Sequence, residues 1–128
     1  MTLKPQARNT LVIRPVIDMK TIEVLGNFEL GKISGDVAKK EVKKIFDGTR
    51  RQIISVTLRN REILPKHKAR EPITVFCLAG AGIFRAGENL EDGQHLTAGT
   101  LITLDAEIEH EVIAAPEVHI LVTKFKDK

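Results

Sequence analysis

Residues 64–84, LPKHKAREPITVFCLAGAGIF, and residues 96–115, LTAGTLITLDAEIEHEVIAA, decide how this chain folds. Each holds a short apolar run, Ile73 to Leu78 in the first and Leu101 to Leu104 in the second, set off by glycine. The runs are rich in β-branched residues and too short for helices, so they read as strands. One histidine stands just outside each run: His67 before the first and His110 after the second.

Working outward, the same grammar continues. Ile83 to Ala86 and Gln94 to Leu96 read as a hairpin across the loop from Gly87 to Gly93. Gly80 and Gly82 are expected to turn the chain before it, and Gly99 after it. His110 to Ala115 and Val118 to Phe125 read as two strands separated by Pro116. Upstream, Arg51 to Leu58 alternates, with Ile54, Val56 and Leu58 on one face. Asn60-Arg61 makes a turn into a short strand, Ile63 to His67. Residues 34–46 carry two signals: Asp36 can cap a helix with Val37, Val42 and Ile45 on a stripe, whereas Asp47-Gly48 marks a hairpin. The strand, Val42 to Phe46, is preferred because its neighbours are all strands. Ile22 to Leu25 and Phe28 to Ile33 form a further hairpin candidate around Gly26-Asn27, and Thr10 to Ile17 is an edge strand interrupted by Pro15. Roughly ten short strands with regular turns argue an all-β sandwich or barrel. Residues 1–9 are expected to be a loose arm and residues 10–128 one barrel domain.

The chain has 128 residues, enough for one sizeable core. No apolar run reaches the roughly 20 residues of a membrane helix, and the N-terminus has no secretory apolar core, so a cytoplasmic location is expected. Cys77 is the one cysteine, which excludes an internal disulfide and a multi-cysteine zinc site. Its apolar context reads as a buried small hydrophobe. Net charge is +3, and Trp and Tyr are absent. The clusters at Lys39, Lys40, Lys43 and Lys44, at Arg50 and Arg51, and at Lys124, Lys126 and Lys128 therefore lack stacking partners and read as a solvated face; no nucleic-acid or membrane partner is expected.

The stretch from Arg61 to Ala114 resembles the two motifs of the cupins, small jelly-roll barrels. The first motif, His-x-His followed by Glu and Gly, matches His67-Lys68-Ala69, Ile73 and Gly80; the second matches Gly99, Asp105-Ala106-Glu107, His110 and Ala114. The resemblance implies a double-stranded β-helix, or jelly-roll, with His67 and His110 pointing into one cavity. It also implies depletion of the family's metal site. The four ligand positions hold His67, Ala69, Ile73 and His110, and alanine and isoleucine donate nothing. Glu71 shares strand parity with His67 and Ile73 and is the candidate third donor; His95, His119 and Glu107 are others. Either no cofactor or a weakly held divalent transition metal is expected.

Three functions compete. The first is binding of a small polar or anionic molecule by His67 and His110, in a cavity walled by Ile73, Val75, Cys77, Leu101 and Leu104 on whichever parity faces inward. The second is a metal-dependent isomerase, dioxygenase or lyase with His67, His110 and a carboxylate as ligands. The third is metal-free acid–base chemistry, as in sugar epimerases of the same fold; the absence of tyrosine counts against its tyrosine-assisted form. Thr74 and Thr103 are read as strand formers rather than pocket hydroxyls. A homodimer is expected because Ile73 to Leu78 is apolar on both faces, with Leu11 to Leu30 available to cross between subunits.

Overall fold

A computed structural model describes residues 21–26, 28 and 39–127. These contain seven strands: β1 Lys40–Asp47, β2 Arg51–Leu58, β3 Ile63–His67, β4 Ile73–Ala86, β5 Asp92–Thr97, β6 Leu101–Leu104 and β7 His110–Phe125. Among the described residues no helix is long and apolar enough to cross a membrane. The arm at 1–9 and the strand at 10–17 lie outside the described residues.

Two long strands form the spine. β4 and β7 pair antiparallel along their whole lengths, from Ile73 opposite Lys124 to Ala86 opposite His110. Each borders different neighbours along its two halves. The first half of β4 pairs with β6 and its second half with β5. The first half of β7 pairs with β3 and its second half with β2, which in turn pairs with β1. The spine thus carries β1, β2 and β6 on one half and β3 and β5 on the other, giving two antiparallel layers joined by two continuous strands.

The spine bends where its register shifts, at Cys77/Ala79 and at Gly80/Gly82. Four expected strands are therefore two. Gly80 and Gly82 do not reverse the chain; they let β4 bend without ending. Gly80 has φ +83°, and a Cβ there would collide with the Glu117 carbonyl. A Cβ on Gly82 would stand 2.6 Å from the Ile113 carbonyl oxygen. Pro116 likewise does not split β7. It follows a cis Ala115–Pro116 bond and falls in the irregular stretch, where a missing N–H costs no ladder bond. Its carbonyl accepts from Arg61 N–H at 2.8 Å. That bond ties the bend to the Asn60-Arg61 turn, where both residues have positive φ.

Residues 40–47 are strand because pairing with β2, Val42 opposite Val56 among others, overrides the weak helical stripe. Gly48 N–H donates to the Arg51 carbonyl at 2.9 Å and closes the hairpin. Ile22 to Leu25, expected in a hairpin, is not strand, and residues 29–33 lie outside the described set. A core forms where inward rows from both layers meet: Val56 and Leu58 from β2, Val75 and Cys77 from β4, Leu96 from β5, and Val112, Val118 and Ile120 from β7. Burying each large aliphatic of this set contributes about 1.5–3 kcal/mol.

Candidate functional site

The site lies at the end of the barrel away from the bend. His67 closes β3 and His110 opens β7, and the two stand opposite each other in register. Their ring centroids are 4.3 Å apart, tilted at 60°. Phe84, inward on β4, stacks on His110 with centroids 5.5 Å apart and planes 13° from parallel. The two rings differ in exposure: His67 is exposed, whereas His110 is 4% exposed.

Each ring is held by the chain just before it. His67 Nδ1 donates to the Pro65 carbonyl at 2.8 Å, and His110 Nδ1 donates to the Ile108 carbonyl at 2.9 Å. A carbonyl only accepts, so both Nδ1 atoms carry the proton, and Nε2 of a neutral ring keeps its lone pair. Burial pushes the His110 pKa below the usual histidine value; the Ile108 carbonyl opposes this, and His67 and Lys124 lower it further. His110 is therefore neutral at pH 7.

Behind the rings is a cavity of about 40 Å³. Its walls are mainly Ile73, Val75, Phe84, Val112, Ile120 and Val122, and its polar groups are His67, His110 and Lys124. Lys124 comes from the end of β7, on the inward row that runs Val118, Ile120, Val122, Lys124. Among the described residues every ionisable one lining this cavity is basic.

The other candidates are dispersed. Cys77 continues the inward row past Val75 but does not line the cavity; it is fully buried, its thiol approaches the Ala79 carbonyl, and burial raises its pKa. Glu71 is half-buried in the β3–β4 loop and is not a lining residue. Glu107 pairs with Lys68 at 3.6 Å. His95 faces an open depression outside the β4–β5 hairpin. His119 contacts Ser55 Oγ at 3.0 Å and packs against Phe28, away from His67 and His110. Leu101 is 65% exposed on the outside, and Leu104 packs on the core without lining the cavity. Thr74 and Thr103 pair across β4 and β6 on the outward parity.

Among the described residues no group of three or more His, Cys, Asp or Glu side chains could hold a metal ion. Two imidazoles alone do not make the three- or four-ligand set of a tight site. The described residues at this site do not by themselves supply the donors of a tight metal site. Leu64, Phe84, Val112, Ile120, Val122 and Lys124 are lining residues that reading the motifs alone overlooks. Period-two counting from Val118 finds Lys124, because it carries the inward parity to the strand end.

No family model matches the chain, and no curated protein matches it. Solved structures do. A cupin superfamily protein from Desulfitobacterium hafniense superposes with TM-score 0.66 at 13% identity, over 74% of this chain and 84% of that one. An RmlC-like cupin from Methanocaldococcus jannaschii, with a double-stranded β-helix fold, gives TM-score 0.62 at 16% identity, over 76% and 89%. A DMSP lyase from Ruegeria pomeroyi gives TM-score 0.63 at 14% identity, over 70% of this chain and 48% of the longer lyase. The bent β4–β7 spine and these superpositions agree: the chain has the double-stranded β-helix fold of the cupins.

Proposed function

We propose that the protein binds a small polar or anionic molecule in the barrel cavity, with His67 and His110 at its polar end. One observation carries this reading: three nitrogen bases, His67, His110 and Lys124, converge on an otherwise apolar cavity with no carboxylate among its described lining residues. Apolar walls with a few convergent polar groups are the usual construction of a small-molecule site. The fold does not choose between binding and catalysis, since cupin-fold neighbours include a DMSP lyase. Of the described residues only the His67 and His110 imidazoles offer themselves to a divalent ion here, which on this reading is held weakly.

The sign of the pH dependence tests the proposal. A bound anion favours the protonated imidazole, so anion binding tightens as pH falls through the histidine range. A metal competes with the proton for Nε2, so its binding weakens over the same range. Calorimetric titration with acetate at pH ~8 and pH ~5.5 should show tighter binding at the lower pH. Combined His67→Ala and His110→Ala should abolish it. Binding that survives both substitutions would refute the site.

The proposal extends to a homodimer. Leu101, Phe76 and Leu121 stand side by side across β6, β4 and β7 on the outward parity, and Leu101 and Phe76 are 65% and 38% exposed. A second copy covering this row accounts for its apolar character. Sedimentation equilibrium should give twice the 14.2 kDa chain mass, and the Phe76→Asp, Leu101→Asp variant half of that. A monomeric wild type refutes the dimer.

A further inference from the structure

Resting on the anion-binding reading above, we infer that the ligand is a short-chain monocarboxylate of acetate to propionate size. Three features of the cavity narrow the class to this. The first is size. A cavity of about 40 Å³ holds roughly three water-sized atoms, at about 10–15 Å³ each. Ordinary pockets for larger ligands begin at about 300 Å³. The carbon atoms of acetate or propionate fill the space while the carboxylate oxygens meet the imidazoles at its lip; a longer chain must displace Val75, Val112 or Ile120, all buried in the core.

The second feature is charge. Among the described residues the lining holds Lys124 and two imidazoles and no acidic group. The nearby acids are engaged elsewhere: Glu109 with Lys66 at 3.1 Å and Glu111 with Arg85 at 3.2 Å. His110 faces His67 from β3 and Lys124 from its own strand, while β4 presents Phe84 and Ala86 to it. A carboxylate oxygen accepting from a protonated Nε2 therefore meets only positive neighbours. The third feature is polarity. The polar groups are few and the remaining lining is hydrocarbon, so a second carboxylate on the ligand is left buried without a partner. A neutral amide of the same shape brings no charge to offset Lys124.

The test is a series of titrations of the full chain with acetate, propionate, hexanoate, succinate and acetamide at pH ~5.5, followed by calorimetry and by histidine NMR signals. Acetate or propionate should bind about tenfold or more tightly than hexanoate and succinate, and acetamide should not saturate. Lys124→Met should weaken propionate at least about tenfold. Val112→Ala should shift the preference toward longer acids; Val75→Ala is the parallel variant should the first fail to fold. Hexanoate or succinate binding more tightly than propionate, with binding still lost in the double histidine variant, would overturn the size and charge assignment while leaving the anion site standing. Failure of every carboxylate to perturb His67 or His110 would overturn both.

Discussion

At the bend of the barrel, Leu58, Cys77, Leu96 and Val118 are wholly buried; at the opposite end the same inward rows finish in Ile73, His110 and Lys124 around a cavity. Both ends are built from β4 and β7, which pair antiparallel on either side of the register shifts. What differs is the side chain at the inward positions. Aliphatics from both layers meet and close the bend. Imidazole rings pinned by the Pro65 and Ile108 carbonyls cannot collapse onto the hydrocarbon and leave a gap with a polar lip. On the function proposed above, one scaffold serves stability at one end and recognition at the other, and substitutions should separate the two.

The largest effect is expected at the bend itself. Gly80→Val should cost about 3–5 kcal/mol or abolish folding, since it adds a positive-φ penalty to a backbone collision. Gly99→Ala, at a φ of +97° but with no atom within 4 Å of the new Cβ, should cost only about 1–3 kcal/mol. Urea denaturation measures both, and equal losses would remove the argument that the collision at the bend matters.

Next in size is the contrast between the ends. Leu58→Ala should destabilise by about 2–5 kcal/mol, because a wholly buried side chain leaves a cavity. His67→Ala should stay within about 0.5 kcal/mol, being exposed, while removing ligand binding. A His67 variant that unfolds would show that the open end is structural.

A smaller effect is set by protons. Burial lowers the pKa of both His110 and His119 below the usual 6.5. The unfolded chain therefore binds more protons than the folded one as pH falls through 6.5. Stability is full above that pH and declines below it, down to the folded-state pKa values. His110→Gln should remove part of this slope and His119→Gln another part, measured as thermal midpoints across pH. A slope unchanged by both would mean that neither ring is desolvated in solution. The least effect is expected at Cys77: its buried, pKa-raised thiol should react with thiol reagents only after denaturation.

Much of this was legible in the sequence, for physical reasons. Alternation located β2, because a strand with one buried face must alternate, and turn signals located β3 and the β4–β5 hairpin. Motif spacing placed His67 and His110 together, because antiparallel register carries one opposite the other. Continuity was not legible. Gly80 and Pro116 carry the same local signals in a turn as in a bulge, and only pairing across the spine distinguishes them. Lys124 was overlooked because a lysine near a chain end reads as solvated; its inward position depends on parity carried through from Val118. The outward position of Leu101 and the distance of Cys77 from the cavity depended on a parity that the sequence left open.

The central claim, an anion held by the histidine pair, is tested most directly by following the ring protons of His67, His110 and His119 by NMR through a pH titration. The spectra are compared with and without saturating acetate. The account predicts that acetate raises the His110 pKa toward or above its usual 6.5 and leaves His119, on the outer face, unchanged. An unaltered His110, or an equal shift at His119, would contradict it.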